Sequence, residues 1–497
     1  MVDDKQLARR LRSLRTTATD GTVAFPRFQQ DQLVRLYNFL VVNREELVAS
    51  VQQEIGLAEI EVQIELAETL AHIKALGLDE LDYTKWKKRK ETQLREEGVI
   101  EKGQGVVAIV ADSAAPVFSV FAPLATAIAA SNAAICTLSD LPATLASLLQ
   151  TRLTASLDRS AFLFTADTDL DALAEVEQGF SPAVVVSRRI TQAGASGATV
   201  LVDRLRPSSP LLAQAARLIV RGASHAGGRL PGSVARVLVH DETAGALIDA
   251  LLDQVRVAYG QDPSLSADLA KCLGADASQK LADDVRRETE KGTGRVLCGG
   301  AVAPKSSGST FPPTFIENPS RDLLSRNLKG PVVSIATFGS HEDALYNLGL
   351  LESDALYCFS DESEVLEYLA EETDAAAVYA NDVPLRALYD PLRAATDIHK
   401  YQKKVVYVSA PKAAAAAVES STFFAPFTPT RRAQLANLLP RSPLSLKRAK
   451  FSHPILRVFF LQGVFLTVGT VLSLVLGTTG YGLWSLARRF LFSRSAV

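Results

Sequence analysis

The chain is poor in cysteine, and what it has is badly placed for a shared site. Cys136, Cys272, Cys298 and Cys358 are scattered over 497 residues without a C-x-x-C pair. That spacing excludes a zinc site and a disulfide framework, and the expectation is four reduced, buried thiols. The six histidines are equally dispersed, with no H-E-x-x-H and no pair at i, i+4, so no metal site is predicted. An excess of positive charge is also missing: 53 Lys and Arg stand against 55 Asp and Glu, a net charge of −2. Nucleic acid is therefore not an expected partner, because binding it requires concentrated positive charge. The N-terminal MVDDKQLARRLRSLR has no apolar core of signal-peptide length, so synthesis in the cytosol is expected. No internal repeat of useful period is present.

What the chain does have is a long apolar run at its C-terminal end. Val458 to Ala487 contains no charged side chain and exceeds the roughly 20 residues that cross a bilayer core as a helix. Lys447, Arg448, Lys450 and Arg457 precede it, Arg488, Arg489 and Arg494 follow it, and Tyr481 and Trp484 sit where an interfacial aromatic belt would lie. A soluble core helix seldom runs so far without a polar face. The segment predicts a single-pass C-terminal anchor with a cytosolic body and membrane lipid as a partner. The endoplasmic reticulum, the peroxisome and the mitochondrial outer membrane all accommodate it. RRAQL at 431–435 and the basic cluster at 447–450 are placed to meet anionic head groups.

Between these ends the texture changes twice. Residues 1–100 carry apolar positions at three- and four-residue spacing without a sustained heptad, which predicts a packed helical region rather than a coiled coil. From Gly105, short β-rich runs alternate with helical ones: GVVAIVAD, PLATAIAASNAA, AAICTLSD and LPATLASLLQTRL. A second series follows at 199–203, 235–239, 294–300, 331–338, 355–360 and 376–382, and 403–410 suggests one late strand. The alternation predicts an α/β fold with doubly wound parallel sheets. The expected organisation is a helical region 1–100, a first α/β domain 101–200, a second 201–385, a return segment 386–417, a linker 418–457 rich in proline and serine, and the span 458–487.

Several stretches, in order, resemble the aldehyde dehydrogenase superfamily, and most closely its membrane-anchored fatty-aldehyde branch. PLATAIAASN (123–132) is similar to the family's PLIAAIAAGN; YGQDPSLSADLAK (259–271), LCGG (297–300), FPPTFIENP (311–319), LKGPVVSIATF (328–338), ALYCFSDE (355–362) and YAND (379–382) follow in family order. The resemblance covers roughly residues 20–385. It implies a Rossmann-like coenzyme domain, a second α/β catalytic-type domain and a bridging oligomerisation strand, with NAD(P) as the coenzyme if the chain is active.

The residues that carry the family's chemistry are not matched. Its catalytic cysteine sits in a motif like N-A-G-Q-x-C before a strand. Here that stretch reads His225-Ala226-Gly227-Gly228-Arg229-Leu230-Pro231-Gly232. The loop is one residue longer than the pattern, so the cysteine's place falls on Leu230 or Pro231. Neither can form the thioester that the oxidation requires. Ala193 stands for the general-base glutamate, and Ala114 for the asparagine that stabilises the oxyanion. Among coenzyme contacts, Thr137 replaces the lysine of K-P-S-E, followed by Ser139 and Asp140, and Asn327 replaces the glutamate of E-I-F-G-P. Where the phosphate-cradling G-S-T-x-x-G is expected, between 180 and 192, the chain reads FSPAVVVSRRITQ, shortened and without glycine.

Replacements were weighed. His225 and Arg229 are able in principle to move a proton or hold an anion, but a structurally bonded pair beside a glycine turn is the ordinary case. Ser224 has no evident partner acid. Gly227, Gly228 and Gly232 read as turn formers, Arg188-Arg189 as a surface pair, and Cys136 and Cys298 as structural thiols rather than relocated nucleophiles. Three readings remain: a tail-anchored pseudoenzyme with a binding, scaffolding or regulatory role, forming a homodimer or a heterodimer with an active paralogue; an NAD(P)-dependent oxidoreductase acting on long-chain aldehydes; and an enzyme of another class using a remodelled pocket. Hydride transfer and coenzyme binding separate them.

Overall fold

The computed structural model describes residues 4–77, 99–166, 182–186, 197–271, 273–292, 294–302, 310–326, 328–351, 353 and 355–406, all within one compact unit, Met1–Ser409. The apolar run 458–487, the linker 418–457, Arg188-Arg189, Ala193, Cys272 and Asn327 lie outside the described residues. Among those described, no helix is long and apolar enough to cross a membrane.

The N-terminal region folds as helices α1 (Asp4–Thr19), α2 (Pro26–Val42), α3 (Arg44–Glu54) and α4 (Glu59–Ala75). Each buries residues at helical spacing, such as Leu7, Leu11 and Leu14 on α1 and Leu33, Leu36 and Leu40 on α2. Strand β1 (Val99–Gly103) follows, then β2 (Val106–Val110), helix α5 (Phe118–Ala129), β3 (Ala133–Thr137), α6 (Ala143–Leu148), β4 (Phe162–Thr165) and β5 (Val184–Val186). These form a parallel sheet in the order β4-β3-β2-β5. All five β3 side chains are buried, as parallel strands covered on both faces demand. Helix α5 is buried along its whole length and packs on β2, β3, α2 and α4. Phe39 of α2 stacks on its Phe121 at 5.8 Å between ring centroids.

The second sheet comprises β6 (Ala198–Val202), β7 (Val234–His240), β8 (Arg295–Cys298), β9 (Thr314–Glu317), β10 (Val332–Phe338), β11 (Ala355–Phe359) and β12 (Ala377–Ala380). Its order is β12-β11-β6-β7-β10-β9-β8, parallel except for β8 at the edge. Helices α7 (Pro210–Ser224), α8 (Asp241–Tyr259), α9 (Ala275–Glu290), α10 (His341–Leu351), α11 (Ser363–Glu372) and α12 (Leu385–Tyr389) connect its strands. The late strand β13 (Gln402–Val406) pairs antiparallel with β1, Gly103 opposite Gln402 and Val99 opposite Val406.

The alternation read from the sequence thus folds as a pair of α/β layers. The boundaries expected at 100/101 and 200/201 fall inside β1 and β6, and β6 belongs wholly to the second sheet. Strands β4, β5 and β9 escaped the sequence reading because runs of three or four apolar residues carry no period that separates strand from buried helix. Only eleven residues (187–197) join β5 in the first sheet to β6 in the second.

Candidate functional site

The loop that enters β7 is built by backbone contacts. Helix α7, capped by Ser209 whose Oγ accepts from the Leu211 N–H at 3.3 Å, ends at Ser224. Ala226, Gly227 and Gly228 then take left-handed φ values of 50°, 64° and 67° in succession. Glycine is required at two points by close approach: a Cβ on Gly228 would lie 2.4 Å from the Gly330 carbonyl oxygen, and one on Gly232 would lie 2.0 Å from that of Ala387. The turn-forming reading of both therefore agrees with the structure. Ala226 has no such freedom, and its conformation is held by its own N–H, which donates to Glu61 Oε1 at 2.9 Å.

Glu61 was missed in the sequence because it lies on α4, 165 residues before Ala226. Helix α4 presents a buried polar stripe of Glu61, Glu65, Thr69 and His72. Glu61 also accepts from the Ala58 N–H through Oε2 at 3.1 Å. Glu65 Oε1 accepts from the N–H groups of Val117 and Phe118 at 2.8 and 2.7 Å, at the start of α5. Burial pushes the Glu61 carboxyl up to about 7 and that of Glu65 up to about 8, despite these bonds. His72 Nδ1 accepts from Arg386 at 2.6 Å, so its Nε2 donates to Thr126 Oγ1 at 2.9 Å. Burial and then the neighbouring Arg386 hold that ring down at about 3.

His225 is neither solvated nor without an acid. Its Nε2 lies 2.7 Å from the Tyr389 hydroxyl, and its Nδ1 lies 3.7 Å from Glu61 Oε1. Burial, with Arg221 as a second cause, lowers it to about 4, so the ring is neutral. Tyr389 stacks on Phe118 at 5.0 Å, and burial raises its phenol well above the ordinary value. Arg229 donates through Nε to the Ala226 carbonyl at 3.3 Å and through Nη2 to that of Ser113 at 3.4 Å, which ties the loop to the turn after β2.

A cavity of about 260 Å³ opens where these parts meet. Pro231, Phe118, Tyr389, Ala115, Val110 and Val184–Val186 form its apolar wall, and Asp112, Asp390 and Lys400 also line it. Pro231 therefore faces the cavity, while Leu230, at 2% exposure, is packed in the core. Ala114 is buried beside it, its N–H on Asp112 Oδ1 at 2.8 Å. Thr137 pairs with Val110 across the sheet and donates to the Ile109 carbonyl at 3.4 Å; Ser139 and Asp140 are exposed beyond it. Of these positions Pro231 lines the cavity, while Ala114, Leu230, Thr137, Ser139 and Asp140 do not.

None of the described cysteines lines the cavity. Cys136, Cys298 and Cys358 each lie on a strand, β3, β8 and β11. Burial raises all three thiols, that of Cys358 up to about 12, and so keeps them protonated at neutral pH. No group of three or more His, Cys, Asp or Glu among the described residues is arranged to hold a metal ion.

The residues that line the cavity form no pyrophosphate cradle. In a Rossmann-like sheet, the pyrophosphate rests on a glycine turn that opens a helix after a strand. Residues 187–196, which follow β5, lie outside the described residues, and their sequence, SRRITQAGAS, holds a single glycine. Two carboxylates, Asp112 and Asp390, line the cavity against one cation, Lys400, so its lining carries no excess of positive charge for an anion.

Comparison with known proteins agrees with this architecture. Residues 208–391 match the aldehyde dehydrogenase family model. Aldehyde dehydrogenase family 3 comG of Dictyostelium discoideum is 23% identical over 382 residues, covering 72% of this chain and 79% of the relative. Aldehyde dehydrogenase family 3 member A2 of Rattus norvegicus is 22% identical over 395 residues, covering 76% and 80%. The substrate-bound structure of Staphylococcus aureus AldH superposes with a TM-score of 0.68 at 17% identity over 87% of this chain and 99% of that one. The NAD-dependent aldehyde dehydrogenase of Sinorhizobium meliloti gives 0.61 at 17% identity, covering 81% and 87%.

Proposed function

We infer that this member of the aldehyde dehydrogenase family keeps the family's fold without its oxidation, and serves as a membrane-tethered binding, scaffolding or regulatory protein. The observation that carries the reading is the position matched to the nucleophile. It holds Leu230, packed in the core, and Pro231, facing the cavity, and no described thiol lies on the cavity wall. Aldehyde oxidation by this route needs a thiolate that adds to the carbonyl and remains as a thioester after hydride departs. Neither side chain can do so.

The apolar segment 458–487 tethers the body to a membrane in this reading, with membrane lipid as its partner. Pairing with an active paralogue through β13 and its surroundings, or with a second copy, gives such a chain a route to regulation.

The test is NADH and NADPH formation by the full-length protein across short to long aldehydes, beside a variant with all four cysteines changed to serine. The expected result is no turnover above that variant's background from folded protein. Turnover lost in the variant would overturn the reading, and would establish instead an oxidoreductase acting on long-chain aldehydes with a thiol elsewhere in the chain.

A further inference from the structure

We propose that the cavity at the carboxyl ends of β2 and β5 is a binding site for an uncharged, mostly apolar molecule carrying one hydrogen-bonding group, held where a Rossmann-like sheet ordinarily holds its dinucleotide. The proposal rests on the non-oxidising reading above and extends it to a ligand.

Three features carry it. The site has the place that open α/β sheets give to ligands, outside the carboxyl ends of parallel strands, because Val110 ends β2 and Val186 ends β5. Its wall is nevertheless apolar: Val110, Ala115, Phe118, Val185 and Pro231 present hydrocarbon, and burial of such surface is what binds an apolar ligand. Its charged groups are largely spent on the protein. Asp390 accepts from the Ala394 and Ala395 N–H groups and the Thr396 hydroxyl at 2.7, 3.0 and 2.9 Å. Lys400 Nζ donates to the Leu392 carbonyl at 2.8 Å, and Asp112 Oδ1 accepts from Ala114 N–H.

One polar group has a different standing. The Tyr389 ring is fixed by stacking on Phe118, and its oxygen is 2.7 Å from the neutral His225 ring. When His225 Nε2 carries its proton and donates to that oxygen, the phenolic O–H is free to donate to a carbonyl or hydroxyl oxygen of a ligand; in the other tautomer the phenolic oxygen accepts instead. Tyr389 thereby selects one neutral oxygen function. The volume, about 260 Å³, admits about nine non-hydrogen atoms at ~30 Å³ each, the share of a water molecule in the liquid. A medium-chain ketone or alcohol meets both conditions.

The experiment measures binding of octanone and octanol to the full-length protein in nanodiscs by ligand-observed NMR, with NAD⁺ and NADP⁺ as competitors. Ala395→Trp fills the cavity and reports the background from partition into lipid. Tyr389→Phe removes the oxygen and keeps the ring. Circular dichroism checks that both variants are folded. The expected result is binding above the Ala395→Trp background, weakened about threefold to tenfold by Tyr389→Phe, and unmoved by either dinucleotide. Displacement by NAD⁺ or NADP⁺ would overturn both this proposal and the non-oxidising reading. Binding that is absent, or the same in wild type and Ala395→Trp, would overturn this proposal alone.

Discussion

Replacing Glu61 by glutamine should remove a pH dependence from the stability of the whole body. Glu61 is buried beneath the loop that enters β7, with one oxygen on the Ala226 N–H and the other on that of Ala58. Burial raises its carboxyl from 4.5 to about 7. An acid whose folded pKa lies above its unfolded value binds its proton more tightly in the folded chain. The stability this contributes is fully present below pH 4.5 and is lost as pH rises through about 7. The interval corresponds to about 3 kcal/mol at full effect. Glutamine cannot ionise, but its amide nitrogen cannot accept from a backbone N–H, so one of the two bonds is lost at every pH, at a cost of about 1–3 kcal/mol. The variant should therefore lie below the wild type near pH 5, and the difference should shift in the variant's favour by up to about 3 kcal/mol by pH 8. Glu65, raised in the same sense to about 8, remains in both proteins and leaves a residual slope. Urea unfolding of the full-length chain, followed by tryptophan fluorescence and far-ultraviolet circular dichroism from pH 5 to 9, provides the comparison. Parallel profiles for the two proteins would refute the reasoning, since they would mean that Glu61 is ionised at the same pH folded and unfolded.

Two further substitutions address the loop itself. Gly232→Ala places a Cβ 2.0 Å from the Ala387 carbonyl oxygen and should cost about 3 kcal/mol or more through forced backbone movement; Gly245→Ala, on the exposed face of α8 with nothing within 4 Å, should stabilise by about 0.5–1 kcal/mol. Thermal unfolding midpoints of the pair report both signs, and equal effects would show that the approach of residues 232 and 387 constrains nothing. Pro231→Cys should give a thiol that alkylating reagents modify yet no NADH formation from any aldehyde, because in the proposed reading the general-base and coenzyme positions are unmatched as well; NADH formation would show that the nucleophile alone had been lost.

The α/β class, the two series of strands and the turn role of Gly228 and Gly232 were legible in the chain, since each rests on local pattern. So was the presence of Leu230 and Pro231 just before β7, where either placement of the gap sets the family's cysteine. The strands β4, β5 and β9 were not legible, being too short to show a period. The acid beside His225, Glu61, was not legible because it reaches the loop from α4. Ser139 and Asp140 follow the end of β3 as expected but stand outside the cavity, a fact of side-chain direction that no spacing states.

The sequence by itself determined which reactive side chains each stretch holds and where the apolar segments lie, because side-chain reactivity and hydropathy belong to each residue wherever it is placed. Only the tertiary structure decided which of those stretches meet around one cavity. It set Tyr389, His225 and Glu61 in one chain of contacts, and it closed Pro231, Phe118 and the ends of β2 and β5 around a common cavity. Those neighbours come from five separate stretches of the chain. Their association is produced by burying apolar faces that are far apart in sequence, and such pairing leaves no periodic trace along the chain.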